Sequence, residues 1–269
     1  MNSLKIQSSK KYIKPWKGFI SVEDTQLYLQ DSGGLGPVII YLNGSYANLK
    51  HWDRVIQELG SDYRHILYDE RARGKSKKSK DYSFDACLRD LTAIIKARQI
   101  KNPILVGWSY GAILATHWVN KNPGVPRGII AIDSAVPYGL TGEESQKRIY
   151  KLFNRLKWIL PVIAPFGLAA KMSAKQHAEI NIEINEISAK LEQTLIDINI
   201  PVWYVFASGE SRGGEAHEFK AMRDSLNPLL KKNENLKVFK QVESNHEKIL
   251  SKDYKTIGNA IQTLNKKIK

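Results

Sequence analysis

A serine stands between two glycines in residues 107–111, Gly-Trp-Ser-Tyr-Gly, which fit the pattern G-x-S-x-G. An apolar run at 104–106 precedes the pattern, and a helix-like segment begins near residue 112. A serine on a sharp turn from a strand into a helix has strained backbone angles, and glycines on either side avoid collisions with neighbouring backbone. In this setting the pattern predicts a nucleophile elbow that exposes the Ser109 hydroxyl.

The chemistry expected of Ser109 is nucleophilic attack followed by acyl transfer. A hydroxyl is a poor nucleophile at neutral pH, so an imidazole must accept its proton and a carboxylate must hold that imidazole in the right tautomer. Backbone N–H groups must also stabilise the oxyanion of the tetrahedral intermediate, by about 3 kcal/mol each. The N–H of Tyr110, at the start of the predicted helix, is our first candidate for that oxyanion hole.

The elements that position Ser109 follow an alternating pattern. Residues 18–22 and 26–30 are typical of two antiparallel strands. Six apolar runs predict parallel strands buried on both faces, at 38–42, 65–68, 104–106, 128–132, 202–206 and 236–239. Apolar residues at helical spacing predict helices at 49–59, 83–98, 112–122, 215–226 and 254–267. Together they predict an α/β fold with a doubly wound, mostly parallel eight-stranded sheet.

The alternation breaks after the sixth strand, where two helical stretches replace one. Residues 144–160 form an amphipathic pattern with a basic face, and 174–195 repeat the apolar spacing. We therefore predict a helical cap insertion at 137–199, with the core domain at 1–136 and 200–269. A helix that simply packs on the main domain, or a surface that touches a membrane, are the alternatives for the basic stretch.

The composition of the 269-residue chain limits its class. Hydrophobic residues make up 42% and charged residues 25%, which indicates a folded globular protein rather than a disordered one. The formal net charge of +14 could favour nucleic acid or anionic membranes. The lysines are dispersed, however, and no nucleic-acid-binding module is recognisable. We expect no nucleic-acid partner.

The cysteine count and the lengths of the apolar runs indicate where in the cell the protein is expected. Cys87 is the single cysteine, which rules out an intrachain disulfide and favours a cytoplasmic protein. Residues 1–17 lack the apolar stretch of a secretory signal. No apolar run reaches the roughly 20 residues of a spanning helix. We expect no transmembrane segment, and weak peripheral membrane contact stays open.

A buried sheet with a serine elbow, and an insertion after the following strand, resembles the α/β-hydrolase fold superfamily, in its serine hydrolase or esterase type. In that superfamily the acid and then the histidine follow the serine along the chain. The acid comes after a strand that begins like P-V-x-x-x-x-G-x-x-D, and residues 201–210 match with Glu210 in its place and Ala207 replacing glycine. Asp133, after the sixth strand, is the alternative acid, because some relatives use that position.

The resemblance also implies the histidine and the second oxyanion donor. His246 lies between the last predicted strand and the last predicted helix, where the superfamily has its catalytic histidine, although Asn245 replaces the usual glycine. Relatives have His-Gly-x after the third strand, and this chain has Asn-Gly-Ser at 43–45, which implies Ser45 as the donor. A plain Asn-Gly turn is the alternative.

Other residues near these motifs have a supporting role. Residues 69–76 resemble the superfamily's D-x-R-G-x-G-x-S loop, which we interpret as structural, its charged residues holding it against the oxyanion turn. Candidate pocket residues between core and cap are Asn43, Tyr46, Trp108, Tyr138 and Trp158.

The resemblance implies a cofactor-independent serine hydrolase, most directly a carboxylesterase that acts on small or medium esters through a Ser-His-Glu triad and an acyl-enzyme. The same triad serves thioesterases, lactonases, amidases, C–C hydrolases, perhydrolases and lipases. A small-molecule receptor of this fold is the alternative from another class. The sequence has no cluster with metal-ligand spacing and no phosphate or dinucleotide motif, so we expect neither metal nor cofactor. The oligomeric state stays open.

Overall fold

The computed structural model describes residues 12–166, 168–209 and 216–268. Within these ranges eight strands form one sheet. The strands are β1 (Trp16–Val22), β2 (Thr25–Asp31), β3 (Val38–Leu42), β4 (Arg64–Tyr68), β5 (Ile104–Trp108), β6 (Gly128–Ile132), β7 (Val202–Ala207) and β8 (Leu236–Val242). Their order across the sheet is β1-β2-β4-β3-β5-β6-β7-β8.

The sheet is mostly parallel, as the sequence predicts. β1 pairs antiparallel with β2, and β2 pairs antiparallel with β4. All pairs from β4 to β8 are parallel. The prediction ended β8 at residue 239, whereas the strand continues to Val242. Lys240 and Gln241 fit because β8 lies at the sheet edge with most of its residues exposed, so polar side chains there cost little.

Helices connect the strands on both faces of the sheet. In chain order they are α1 (Asp53–Leu59), α2 (Phe84–Ala97), α3 (Tyr110–Lys121), α4 (Glu143–Leu156), α5 (Leu160–Ile163), α6 (Ala174–Ala189), α7 (Leu191–Asp197), α8 (Ala216–Asp224), α9 (Asn227–Lys232), α10 (Ile249–Lys252) and α11 (Tyr254–Lys267). The predicted helix at 49–59 is a 3₁₀ turn, Leu49–Trp52, followed by α1. No helix in the described ranges is long and apolar enough to cross a bilayer.

The core has two layers because strand side chains alternate between the faces of the sheet. On one face Ile40 and Leu105 pack with α2 and α3 residues such as Leu91 and Leu114. On the other face Ile39 packs in a cluster with α1 and α11 residues. Every residue of β4, β6 and β7 is buried, which explains the continuous apolar runs of β6 and β7.

Among the described residues between β6 and β7 there are four α-helices rather than the two predicted. The first predicted helix divides because α4 ends at Leu156 and Pro161 fits the first turn of the separate helix α5. The second divides at Lys190, between α6 and α7. Ile149, Phe153 and Ala178 of this segment form a small cluster, whereas Leu191 and Leu195 of α7 join the main core cluster.

Candidate active site

Ser109 lies at the turn between β5 and α3 with φ 54° and ψ −120°. A non-glycine residue in the left-handed region costs about 1–3 kcal/mol and persists only where its surroundings hold it. The Ser109 N–H donates to the Ile132 carbonyl at 3.0 Å, which ties the turn to β6. The strained turn therefore lowers the stability of the fold, and it places the Ser109 hydroxyl at the carboxyl edge of the sheet.

The two glycines of the motif are required because neither position has room for a side chain. A Cβ at Gly107 would lie 2.4 Å from the Gly111 carbonyl oxygen. A Cβ at Gly111 would lie 2.1 Å from the Leu42 carbonyl oxygen, on the neighbouring strand β3. Real Cβ atoms do not approach this closely, so only glycine lets α3 pack against β3 and β5 at the elbow.

His246 contacts Asp133 beside this turn. The His246 Nδ1 lies 2.8 Å from Asp133 Oδ2. Because a carboxylate only accepts hydrogen bonds, the imidazole donates through Nδ1–H, which leaves Nε2 as the basic nitrogen. The His246 ring lies 5.5 Å from the ring of Trp108, the residue before Ser109. The imidazole is thus next to the elbow.

Asp133 is held rigidly. It follows β6 with φ 49° and is 1% exposed. Its Oδ1 accepts the N–H of Ala207 at 3.0 Å, and its own N–H donates to the Val205 carbonyl at 2.9 Å. These bonds to β7 fix the carboxylate in one orientation toward His246.

Glu210, the first candidate for the acid, lies outside the described residues. Among the described residues, the alternative, Asp133, has its Oδ2 atom 2.8 Å from His246 Nδ1. The sequence carried a signal for Asp133, because β6 neighbours β5 in a parallel sheet and the carboxyl ends of such strands share one edge.

The loop after β3 is anchored from behind by the 69–76 loop. The Asn43 N–H donates to Glu70 Oε1 at 3.1 Å, and the Arg73 guanidinium donates to the Ser45 carbonyl at 2.7 Å. These contacts confirm that charged residues hold the two loops together. Tyr110, the other candidate oxyanion donor, is the first residue of α3, and the N–H groups in the first turn of a helix have no intrahelical acceptor.

Asn43 supports this loop from inside the protein. It has no exposed surface, and its Nδ2 donates to the Tyr68 carbonyl at 2.7 Å and to Glu70 Oε2 at 2.9 Å. Its Oδ1 accepts the Trp52 indole N–H at 2.8 Å. The prediction that Asn43 lines a pocket does not fit this position, because its amide is fully engaged within the core.

Glu70 is an ionisable group buried in this anchor. Burial raises the pKa of its carboxyl to about 7, against the opposing effects of the Arg73 cation and the Asn43 hydrogen bonds. A neighbouring carboxylate, Asp69, accepts the N–H groups of Leu49 and Lys75 at 2.9 and 2.8 Å. Sequence reasoning gave these residues a general structural role but could not assign their partners.

The aromatic candidates occupy different places. Tyr46, in the loop after β3, packs against the inserted helices, with ring distances of 6.1 Å to Phe153 and 5.4 Å to His177, and its hydroxyl accepts from Asn181 Nδ2 at 3.1 Å. Nothing in the sequence pointed to Asn181, since its role depends on how α6 packs.

The remaining two aromatic candidates, Tyr138 and Trp158, differ in their exposure. Tyr138 is half-buried against the main core cluster. Trp158 is 80% exposed, with the Lys157 ammonium 5.3 Å from its ring. The prediction that Trp158 lines a pocket does not fit, because the turn between α4 and α5 directs it outward.

Comparisons with known proteins agree with this fold. The family model described as alpha/beta hydrolase fold matches residues 37–156. Pimeloyl-[acyl-carrier protein] methyl ester esterase from Wigglesworthia glossinidia brevipalpis is 31% identical over 103 residues, 38% of this chain and 38% of the relative. Haloalkane dehalogenase from Mesorhizobium japonicum is 26% identical over 125 residues, 46% of this chain and 40% of the relative. The matches therefore span less than half of these relatives.

Solved structures extend the likeness over nearly the whole chain. An esterase from Exiguobacterium antarcticum superposes with a TM-score of 0.71 at 17% identity, covering 96% of this chain and 100% of that structure. At this identity the likeness concerns the fold alone.

Proposed function

Because the chain belongs to the α/β-hydrolase fold superfamily, we propose that it is a serine hydrolase that cleaves carboxylic esters, with a triad of Ser109, His246 and Asp133. The observation that carries the proposal is the 2.8 Å contact between His246 and Asp133 beside the strained turn of Ser109. A serine, an imidazole and a buried carboxylate in this relation have the roles of nucleophile, base and orienting acid.

The proposed reaction proceeds through an acyl-enzyme. The Ser109 oxygen attacks the ester carbonyl carbon while His246 Nε2 accepts its proton. The imidazolium formed is stabilised by Asp133, and it then protonates the leaving alcohol. Water, deprotonated by the same imidazole, then attacks the acyl carbon. The bond between that carbon and the Ser109 oxygen breaks, the acid is released, and the imidazolium returns its proton to the Ser109 oxygen. The N–H groups of Tyr110 and Ser45 stabilise the oxyanion in both steps.

An ester substrate fits the nucleophile and one of the relatives. A serine alkoxide reacts readily with acyl carbons, and the relative from Wigglesworthia is named as a methyl ester esterase. The sequence-based choice of Glu210 as acid gives way in this proposal to Asp133. Small or medium esters remain the proposed class.

The proposal includes a cap and a location. Helices α4 to α7, within residues 137–199, form the cap over a core of 1–136 and 200–269. Support comes from Tyr46, which joins the oxyanion loop to α4 and α6 through Phe153, His177 and Asn181. A cytoplasmic location is proposed from cysteine use, because the chain has a single cysteine, Cys87, and therefore no intrachain disulfide.

The test is hydrolysis of p-nitrophenyl esters of graded acyl length by the wild type and by Ser109→Ala. We expect turnover in the wild type and a loss of at least about 10³-fold in the variant. Labelling by a serine-directed fluorophosphonate, read by mass spectrometry of the peptide that contains Ser109, is expected in the wild type alone. Equal turnover in both proteins, or labelling elsewhere, would contradict the proposal, and turnover of thioesters alone would replace the ester class.

A further inference from the structure

A short segment at the end of the first inserted helices exposes several large apolar side chains. Trp158 is 80% exposed, Phe166 78%, Leu168 65% and Val162 62%. Single exposed apolar residues are normal on a protein surface, but a cluster within eleven residues indicates a binding surface. We call Trp158, Ile159, Val162, Phe166 and Leu168 the outer patch.

The outer patch lies on the side of this segment that is opposite its buried side. Leu160 and Ala164, four residues apart, are buried against the cluster around Phe153. Ile159, Val162 and Phe166 follow at spacings of three and four and are exposed, so helical geometry places them on the opposite face. The inner face of α5 packs against the protein, and the exposed outer face is available to a partner.

The stretch of chain that carries the outer patch has charge of one sign, and Phe166 also lines a cavity that contains both acidic residues, Asp53 and Asp69, and basic ones, Lys50 and Lys75. Residues 145–178 contain seven Lys or Arg and no Asp or Glu, so their formal charge of +7 is half of the +14 of the chain. Three of these cations pair with glutamates outside that stretch, namely Lys147, Arg148 and Lys175. Lys151, Arg155 and Lys157 are exposed on or next to α4.

We propose that the outer patch docks the protein on an anionic phospholipid bilayer. Trp158 and Phe166 would enter the interface between headgroups and acyl chains, which is where amphipathic surfaces insert their aromatic and apolar side chains. Lys151, Arg155 and Lys157 would lie at headgroup level, since long basic side chains reach outward past an apolar surface to anionic groups.

A bilayer fits these observations better than a folded protein partner. Trp158, Val162, Phe166 and Leu168 are each exposed over most of their surface and Ile159 over 49% of it, which suits a deformable apolar phase that can surround them. Flexible lysines beside it act as point charges without fixed directionality and so complement a diffuse negative surface. The docking needs neither Ser109 nor ester hydrolysis.

The test is sedimentation of the full-length protein with phosphatidylcholine vesicles and with mixed phosphatidylglycerol and phosphatidylcholine vesicles. We expect binding to the mixed vesicles, little to the neutral ones, and weakening by added salt. Trp158→Ser/Phe166→Ser should lower the partition coefficient about tenfold or more, and Lys151→Gln/Lys157→Gln should do likewise. Ser109→Ala should bind as the wild type does, so a failure of the proposed hydrolase function would leave this result unaffected.

Matched controls change similar residues elsewhere. Phe19→Ser/Leu35→Ser removes two exposed apolar side chains, and Lys96→Gln/Lys101→Gln removes two exposed charges, both outside the inserted helices. We expect near wild-type binding from both. The proposal is overturned by absence of binding to mixed vesicles, by equal binding to neutral ones, or by patch variants that bind as well as their controls. A lipid-free dimer that only the patch variants dissociate would assign the surface to a second copy instead.

Discussion

The Nδ1 atom of His246 lies 2.8 Å from Oδ2 of Asp133, across 113 residues of sequence. The second carboxylate oxygen is held by the Ala207 N–H at 3.0 Å, and Asp133 is almost fully buried. A carboxylate with both oxygens engaged has one orientation, so the imidazole that it contacts is oriented in advance of any substrate. Such preorganisation is what general base catalysis requires.

We predict that Asp133→Asn lowers kcat for p-nitrophenyl ester hydrolysis about 10³- to 10⁴-fold. An asparagine amide can present its N–H₂ to Nδ1 and so favour the wrong tautomer, while the volume of the side chain is unchanged. Glu210→Gln is the matched control, with the same loss of one carboxylate, and we expect little change in kcat. A larger loss in Glu210→Gln than in Asp133→Asn would assign the acid to Glu210.

Much of the fold was predictable because buried strands and amphipathic helices have distinct periods. The predicted bounds of β3, β6 and α11 agree with the structure. The inserted helices were less predictable, since the exposed Trp158 and Ile159 look in sequence like part of an apolar face. Which face of a short helix is buried depends on tertiary packing rather than on spacing.

The candidate site was predictable in part for a similar reason. Ser109 and His246 lie in motifs that require particular backbone conformations. Glycines and turn residues mark such conformations, so the two positions can be recognised in the sequence. The acid is different, because Asp133 and Glu210 both follow strands whose carboxyl ends share one edge of the sheet. The sequence does not distinguish two such carboxylates, and because Glu210 lies outside the described residues, the choice between them rests on the Asp133→Asn and Glu210→Gln variants.

Gly111→Ala should destabilise the protein by about 3 kcal/mol or more, because the new Cβ would lie 2.1 Å from the Leu42 carbonyl oxygen. Gly124→Ala is the control, since Gly124 has φ 79° with no atom within 4 Å of an added Cβ. Backbone strain alone should cost that variant about 1–2 kcal/mol. Urea unfolding measures both changes, and equal losses would show that the elbow tolerates displacement of α3.

The buried pair of Arg71 and Asp90 offers a test of the 69–76 loop. Arg71 Nε and Nη2 donate to the two Asp90 oxygens at 2.7 and 2.8 Å, and both side chains are fully buried. We predict that Arg71→Met costs about 3–5 kcal/mol, because Asp90 is left without its cation. Arg71→Met/Asp90→Leu should recover part of this loss in a urea-based double-mutant cycle. Additive losses would mean that the two side chains do not stabilise each other.

Glu70 predicts a pH dependence of stability. Burial raises the pKa of its carboxyl from 4.5 to about 7, with Arg73 and Asn43 acting in the opposite direction. A carboxyl with a raised pKa in the folded state binds its proton more tightly when folded, so its contribution to stability is complete below pH 4.5 and is lost as the pH rises toward about 7. The loss is on the order of 3 kcal/mol.

Glu70→Gln should remove this dependence, because glutamine does not ionise. The free energy of unfolding of the wild type, relative to that of the variant, should fall on the order of 3 kcal/mol between about pH 4.5 and about pH 7 and stay constant at higher pH. The hydrogen bonds to Asn43 that the variant alters add an offset that does not vary with pH. Urea unfolding of both proteins over this range measures the difference. A difference that is independent of pH would show that Glu70 keeps an ordinary pKa, and hence that water reaches the contacts between the 69–76 loop and the loop after β3.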